Sequence, residues 1–198
     1  MWSARFKEAG EDYLFGTEPT KFLHTHAALL AAGSTALSVA DGEGRNSVWL
    51  AEQGLAVTAL EISPVGLAKA RKLAAGRGVN VDFVQGDALV WDWPEQAFDI
   101  VMAVFIQFAS PAERPALFKG MQQAVKPGGL LFLHGYTPKQ LDYKTGGPPS
   151  ADHLYTSEQL RAAFAGWEIL ELREYEDVLA EGSAHKGRSA LIDLVARK

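Results

Sequence analysis

The sequence predicts an α/β fold: a mainly parallel sheet with helices on both faces and an antiparallel hairpin at the C-terminal end. The first observation is that short apolar, β-rich runs alternate with helical stretches along the 198 residues. Strands separated by helices form right-handed βαβ units, which build parallel sheets covered on both faces. The second is that the last two β-rich segments, 167–178 and 189–195, have no helix between them, so they should pair antiparallel.

The first half of the chain gives the clearest elements. Residues 36–40 are a short apolar strand, and a helix is predicted over 45–53. The run 55–62 is β-rich and ends in an acid. Ser63 and Pro64 then supply an N-cap and a proline for the first helical position, so the next helix begins there, and it is expected to stop near Gly76 and Gly78.

The second half continues the alternation. Further strands are predicted over 79–85, 98–105 and 130–134. Ser110 and Glu113 have capping-box spacing before a run with helical periodicity. Thr156 and Gln159 have the same spacing before a short helix that extends through Phe164.

Composition indicates how the chain is organised. With 47% hydrophobic and 22% charged residues, the chain can bury the core of one domain. We expect a single domain over 1–198, made of a helical N-terminal cap over 1–33 and an α/β core over 34–198. The longest apolar run, 100–106, is too short to cross a bilayer. The N-terminus lacks the apolar core of a signal peptide, so we expect a cytoplasmic protein without membrane association.

Charge and cysteine content exclude several functions. The net charge is −5, and the sequence has no basic cluster of the kind that neutralises nucleic-acid phosphates. The absence of cysteine excludes disulfides, thiolate metal sites and a cysteine nucleophile. The five histidines show no metal-ligand spacing, so no metal is predicted. We expect a small-molecule partner and no nucleic acid; the oligomeric state stays open.

Glycines and acids follow successive strands, where open α/β sheets bind their ligands. Gly42 and Gly44 lack Cβ atoms, which lets the backbone turn sharply and approach a ligand. Glu61 ends the second strand and can accept hydrogen bonds from ribose hydroxyls. Asp87 ends the third strand and can accept one from the exocyclic amine of adenine. Together these residues predict a nucleoside-type ligand.

The turn after the first strand distinguishes between nucleoside cofactors. A dinucleotide fingerprint has a third glycine where this chain has Ser47. A carboxylate in the turn, at Asp41 or Glu43, repels a pyrophosphate but attracts a ligand that carries an amine and a sulfonium. The sequence therefore favours S-adenosylmethionine over a nicotinamide dinucleotide.

Several runs resemble the class I S-adenosylmethionine-dependent methyltransferases, in particular the bacterial tellurite-resistance and thiopurine methyltransferase branch. The most specific are GEGRNSVWLA at 42–51 and YLFGTEP at 13–19. Further matching runs are 57–63, 67–70, 85–88, 98–101 and 125–129. The resemblance covers nearly the whole chain. It implies a Rossmann-like, seven-stranded sheet whose last strand is antiparallel, and S-adenosylmethionine as the cofactor.

The resemblance also implies roles for individual residues. Glu61 would hold ribose, Ile62 would pack on adenine, and Val104 would lie beneath the methionine part of the cofactor. The remaining cofactor-binding positions that it implies are Ala40, Gly42, Gly44, Arg45, Asn46, Asp87 and Ala88. The chain departs from the family where Ser38 replaces an acid and Ala40 replaces a glycine, and Asp41 is a candidate to replace the missing carboxylate.

Topology selects candidates for the acceptor side. Four segments are expected at the carboxyl edge of the parallel strands, where ligands bind. They are the loops after the fourth and fifth strands, the turn of the final hairpin and the N-terminal cap. The polar candidates on these segments are Tyr13, Gln107, Tyr136, Tyr143 and His185. Tyr13 also suits a hydrophobic staple, and His185 in a glycine-flanked turn also suits a solvated loop. No catalytic residue is assigned, since an acceptor such as a thiolate is already nucleophilic.

The predicted function is methyl transfer from S-adenosylmethionine to a small molecule, such as a thiol or a chalcogen oxyanion. An alternative is a protein that binds S-adenosylmethionine or S-adenosylhomocysteine without transferring methyl, to which Ser38 and Ala40 lend support. A nicotinamide oxidoreductase is a further alternative, which Ser47 disfavours.

Overall fold

The structure is a computed structural model that describes residues 2–198. Its strands are β1 Thr35–Val39, β2 Ala56–Glu61, β3 Asp82–Gln85, β4 Phe98–Val104, β5 Val125–Tyr136, β6 Glu168–Glu181 and β7 His185–Arg197. Its α-helices are α1 Trp2–Glu8, α2 Lys21–Thr25, α3 Arg45–Glu52, α4 Pro64–Arg77, α5 Arg114–Ala124, α6 Gln140–Tyr143 and α7 Ser157–Ala163. Short 3₁₀-helices lie at Ala27–Leu29 and Ala151–His153.

The seven strands form one sheet in the order β3-β2-β1-β4-β5-β7-β6. β1 with β2, β2 with β3, and β4 with β5 are parallel pairs, whereas β5 and β7 are antiparallel. This arrangement confirms the predicted Rossmann-like sheet with a C-terminal hairpin.

Local signals set the helix ends where they were predicted. The Ser63 hydroxyl accepts the Gly66 N–H at 3.1 Å, and Pro64 begins α4. Gly78 ends this helix in the left-handed conformation that glycine adopts without strain. At α7, Thr156 and Gln159 form a complete capping box.

Several boundaries differ from the prediction; for example, β3 begins at Asp82 rather than at 79, and β6 ends at Glu181 rather than at 178. Ser110 does not cap α5; instead the Glu113 carboxylate accepts the N–H and hydroxyl of Ser110, and the helix begins at Arg114. β5 begins at Val125, directly after α5, because Val125 pairs with Phe98 of β4. β7 begins at His185, so this residue lies in a strand and only 182–184 form the turn.

The described chain forms two compact units. The first comprises residues 2–91 together with Glu181–Ala184, and the second comprises Asp92–Ala180 and His185–Lys198. Buried aliphatic residues of β1, α3 and β2 make up much of the first core. Buried residues of β4, β5 and β7 make up much of the second. Within residues 2–198, no helix is long and apolar enough to cross a membrane.

Candidate functional site

The turn between β1 and α3 is built on left-handed backbone. Ala40, Gly42 and Gly44 have φ values of +51°, +68° and +92°. Glycine adopts such angles without steric cost, whereas the Cβ of an L-residue clashes with the carbonyl that follows it. Ala40 therefore keeps the glycine-like conformation of this turn and carries its strain. We call residues 40–46 the cofactor turn.

The glycines of the cofactor turn allow close packing within the protein itself. A Cβ at Gly44 would lie 2.7 Å from the Ala70 Cβ of α4, and one at Gly42 would lie 3.6 Å from the Phe6 ring. A Cβ at Gly66 would lie 2.7 Å from the Gly42 carbonyl oxygen. The sequence interpretation gave the glycines a role in ligand approach; the structure shows that they also let the turn rest directly on α4 and α1.

Glu61, at the end of β2, is the polar centre of this region. Glu61 is only 4% exposed. Its two carboxylate oxygens accept the N–H groups of Gly42 and Ser63, each at 2.8 Å. Burial raises the pKa of Glu61, and the two backbone N–H groups oppose that rise. A carboxylate has about four lone-pair positions, so Glu61 retains acceptor capacity beyond these two bonds. The next residue, Ile62, is an aliphatic side chain left 47% exposed beside it.

Asp41 is turned into the protein. Its two oxygens accept the hydroxyls of Ser38 at 2.7 Å and Ser47 at 2.6 Å. Burial raises the pKa of Asp41, although both hydroxyl bonds oppose the rise. Asp41 therefore joins the end of β1 to the first turn of α3. Ser47, where a dinucleotide fingerprint has glycine, is one of its two partners.

The charged and amide side chains of the cofactor turn hold the N-terminal segment. Glu43 accepts the Leu14 N–H at 2.7 Å and pairs with Lys69 at 2.8 Å. Arg45 donates to the Phe15 carbonyl at 3.1 Å. Asn46 accepts the Thr20 N–H at 3.1 Å. The GEGRN and YLFGTEP runs are thus physically paired, a relation that their separation along the chain hides.

The residues after β3 form a local turn. The Gly86 N–H donates to the Glu61 carbonyl at 3.1 Å, which places this turn beside the end of β2. The Asp87 carboxylate accepts the Leu89 N–H at 3.0 Å, and Asp87 stays partly exposed. Ala88 is buried. The structure therefore brings Glu61, Ile62 and Asp87 to the ends of adjacent paired strands, as predicted from the sequence.

In the second unit, four rings pack together after β4. Phe105 lies 4.7 Å from His134, 4.7 Å from Tyr136 and 4.3 Å from His185, measured between ring centroids. Phe105 has φ +54°, a conformation that is a genuine outlier for a bulky residue. Strained backbone of this kind clusters at functional sites. We call Phe105, His134, Tyr136 and His185 the ring cluster; sequence inspection missed Phe105, whose strain leaves no signal in the sequence.

The remaining acceptor-side candidates have definite partners. The buried Gln107 amide donates to the Tyr136 carbonyl and accepts the Tyr136 N–H, at 2.8 and 2.7 Å, so it holds the end of β5. The Tyr143 ring lies beneath the Arg188 guanidinium at 5.2 Å. In the first unit, the Tyr13 hydroxyl donates to the Lys69 carbonyl at 3.0 Å. Val104, the last residue of β4, is partly buried.

Sequence inspection also missed a buried pair behind the ring cluster. His134 Nδ1 lies 2.6 Å from an Asp193 carboxylate oxygen, with the two side chains 2% and 1% exposed. Arg173 and Tyr175 also bond to Asp193, at 3.1 and 3.3 Å. The partners lie 59 residues apart and meet because β5 and β7 pair, so no local motif announces them. Within residues 2–198, no group of His, Asp and Glu could hold a metal ion.

Comparison with known proteins identifies part of the chain. Residues 36–129, which include the cofactor turn, Glu61 and Asp87, match the family described as methyltransferase domain. Over these residues the chain is similar to a methyltransferase domain. The class of S-adenosylmethionine-dependent methyltransferases implies S-adenosylmethionine as the cofactor.

Individual relatives agree with this assignment. The chain is 33% identical over 113 residues to a demethylmenaquinone methyltransferase from Thermus thermophilus, covering 56% of this chain and 51% of that protein. It is 31% identical over 122 residues to thiocyanate methyltransferase 1 from Arabidopsis thaliana, and this match covers 60% of this chain and 52% of that protein. The chain thus spans about half the length of these curated relatives. A solved structure described as "Conversion of a Disulfide Bond into a Thioacetal Group during Echinomycin Biosynthesis" shares the fold, with TM-score 0.77 and 22% identity over 100% of this chain and 90% of its own.

The residues of the matched segment, 36–129, fit a nucleoside cofactor. Glu61 presents a carboxylate with acceptor capacity, and Ile62 presents an exposed aliphatic surface beside it. Ribose hydroxyls and a purine face are the groups that these two side chains suit. The cofactor turn adds left-handed backbone next to the same carboxylate, through the Gly42 N–H bond.

Proposed function

We propose that the protein transfers a methyl group from S-adenosylmethionine to a small-molecule acceptor. The observation that carries this proposal is the buried Glu61 carboxylate, bonded to the Gly42 N–H of the cofactor turn and followed by the exposed Ile62. When bound, S-adenosylmethionine supplies a methyl group on a positively charged sulfur.

Each residue of this region then has a binding task. Glu61 accepts the ribose hydroxyls, and Ile62 packs against the adenine ring. Asp87 and the Ala88 N–H read the adenine edge. The backbone of Ala40, Gly42 and Gly44 lines the methionine part. Val104 remains a candidate that the family resemblance implies. Arg45 and Asn46 act indirectly, because their side chains bond to the N-terminal segment.

The proposed acceptor is a nucleophile that needs no proton removed by the enzyme, such as a chalcogen oxyanion or the thiolate form of a thiol, which is about a few per cent of the thiol at neutral pH. One relative supports this, since it is named for methylating thiocyanate. The paired runs 13–19 and 42–51 support membership of the tellurite-resistance and thiopurine methyltransferase branch.

Methyl transfer to such an acceptor is an in-line displacement, so the protein's contribution is alignment and exclusion of water. We assign the acceptor side to Phe105, Tyr136 and His185 of the ring cluster, with Gln107 and Tyr143 as the outer candidates. Tyr13 is a separate candidate within the first unit. Aromatic rings supply an apolar surrounding in which a soft anion is poorly solvated and reacts readily.

We further propose that residues 1–198 act as one methyltransferase domain in the cytoplasm, without nucleic acid as a partner. The net charge of −5 supports this, since a nucleic-acid substrate calls for a basic surface.

Titration calorimetry with S-adenosylmethionine, and separately with S-adenosylhomocysteine, tests the cofactor assignment. The Glu61→Ala variant should bind more weakly by roughly 1–3 kcal/mol, because charged hydrogen bonds are lost. Ala68→Ser, an exposed change on α4, is the control and should bind like the wild type. Wild-type protein that binds neither compound would refute the proposed function.

Turnover tests the acceptor. Thiols, tellurite and selenite are each supplied with S-adenosylmethionine, and S-adenosylhomocysteine release is measured. His185→Ala should lower turnover and leave cofactor affinity unchanged. Binding of the cofactor without turnover on any acceptor would favour the alternative, a protein that binds the cofactor without transferring methyl.

A further inference from the structure

The chain between β6 and β7 belongs to the first unit, where it contacts the N-terminal segment. We call Glu181–Ala184 the tip and residues 14–16 the strap. The N–H groups of Ser183 and Ala184 both donate to the Leu14 carbonyl, at 3.0 and 3.2 Å. The Leu14 N–H, on the other side of the same residue, donates to Glu43 of the cofactor turn. The strap is therefore held between the cofactor turn and the tip.

An ion pair also joins the tip to the cofactor turn. Glu181 lies 2.9 Å from Arg45, and the two side chains are 13% and 7% exposed. The same Arg45 donates to the Phe15 carbonyl of the strap. Opposite charges that are largely buried are screened less by solvent than exposed ones and attract each other more strongly. Arg45 thus fixes the strap and the tip together.

Gly182 fits the strap too closely for any other residue. A Cβ at this position would lie 2.4 Å from the Leu14 carbonyl oxygen and 2.5 Å from the Gly16 nitrogen. These are backbone atoms, so a side chain could be accommodated only if the strap itself shifted. Gly182 also has φ +64°, in the left-handed region.

The strap in turn positions aromatic rings against the cofactor turn. Phe15 lies 6.4 Å from Phe6 and 6.2 Å from Trp2 between ring centroids. Phe6 is buried, and its ring lies where side chains on Gly42 and Gly66 would project. A shift of the strap would therefore move Phe15 and, through it, the rings that cover the cofactor turn.

We propose that the tip is a positioning element of the cofactor site: Glu181 and Gly182 hold the strap so that Phe15 and Phe6 stay against the cofactor turn. This inference rests on the proposed function. Its consequence is that the hairpin turn controls cofactor affinity without itself being a cofactor contact.

The test compares cofactor binding in matched variants. Gly182→Ala adds a methyl group that clashes with the backbone of the strap and forces the strap to move. The Kd of this variant for S-adenosylhomocysteine should therefore rise about tenfold or more. Gly10→Ala is the control: Gly10 has φ +59°, close to that of Gly182, but no atom lies within 4 Å of its added Cβ. The control carries the same backbone strain, and its Kd should stay within about twofold of the wild type.

A second variant covers the case in which Gly182→Ala fails to fold. Glu181→Gln keeps the size of the side chain but removes the charge that faces Arg45, and its Kd should rise about threefold or more. Hydrogen exchange supplies a readout independent of the cofactor. The Leu14 N–H should exchange faster in both variants and at the wild-type rate in Gly10→Ala.

The outcomes separate the two proposals. Variants of Glu181 and Gly182 that bind as tightly as a binding-competent wild type would overturn the positioning role and leave the proposed function intact. Unchanged exchange at Leu14 would overturn it as well, since the strap would then not depend on the tip. Wild-type protein that binds no S-adenosylhomocysteine or S-adenosylmethionine would overturn both proposals.

Discussion

The cofactor turn and the ring cluster fix their residues by different means. In the cofactor turn, Glu43 and Asn46 bond to backbone N–H groups of Leu14 and Thr20, which lie 29 and 26 residues away. In the ring cluster, Phe105 packs against the rings of its neighbours at centroid distances of 4.3–4.7 Å. Hydrogen bonds are directional and short in range, whereas ring contacts tolerate small rotations and shifts.

The comparison shows that a polar side chain near a ligand edge can be fully occupied in holding the protein together. Arg45 and Asn46 in the first unit bond to the N-terminal segment, and Gln107 in the second bonds to the backbone of Tyr136. The ligand-facing role then passes to residues such as Glu61, which keep acceptor capacity, and to partly exposed rings such as Phe105. The comparison also predicts that the turn tolerates change less well than the ring cluster.

The largest effect is expected from Gly44→Ala. The new Cβ would lie 2.7 Å from the Ala70 Cβ at φ +92°, so close packing and left-handed strain add together. We expect the free energy of unfolding to fall by about 3 kcal/mol or more, measured by urea denaturation. In the control, Gly78→Ala, nothing lies within 4 Å of the Cβ at φ +69°, and the loss should be only about 1 kcal/mol. Equal losses would show that the approach to α4 is unimportant.

Gln107→Ala tests the second unit. It removes the acceptor for the Tyr136 N–H and a donor to the Tyr136 carbonyl, which leaves buried backbone groups unpaired. The free energy of unfolding should fall by about 2 kcal/mol. If Gln107 serves only the backbone, cofactor affinity measured by calorimetry should be unchanged. Loss of cofactor affinity at unchanged stability would contradict the structural role described above.

Asp41→Asn tests the buried carboxylate of the turn by its pH dependence. Burial raises the pKa of Asp41, so its contribution to stability is present at low pH and is lost as pH rises through the folded-state pKa. Asparagine is neutral throughout, and the hydroxyls of Ser38 and Ser47 can rotate to suit its amide. The stability of the variant relative to the wild type should therefore rise as pH increases from about 4, the pKa of an unfolded aspartate. Urea denaturation over a pH series that starts there checks this, and a relative stability that falls with pH would refute the assigned shift.

The smallest effect is expected from Ala40→Gly. Glycine relieves the strain of φ +51°, partly offset by the greater freedom of the unfolded chain, so stability should rise by about 1 kcal/mol or less. The control, Ala68→Gly on the exposed face of α4, should instead lower stability by about 0.5–1 kcal/mol. Thermal unfolding of the two variants checks the opposite signs. A loss at Ala40 would mean that this alanine is not strained.

Local sequence signals were reliable where one element decides its own structure. Ser63, Pro64 and Gly78 set both ends of α4, and Thr156 with Gln159 caps α7, as predicted. The same spacing at Ser110 and Glu113 did not predict the start of a helix correctly. There the Glu113 carboxylate accepts the Ser110 hydroxyl, and Pro115 is the second residue of the helix that follows. A capping motif predicts a helix start only when the backbone after it is free to begin there.

The sequence by itself determined the sheet type, the final hairpin, the methyltransferase resemblance and the acids at the strand ends, because each depends on periodicity or on residues adjacent along the chain. Only the tertiary structure decided which polar groups remain for a ligand. Glu43 meets Leu14, His134 meets Asp193, and Gly182 meets the strap through folding of distant segments. The direction of a side chain depends on its partners in space, and the one-dimensional pattern does not contain them.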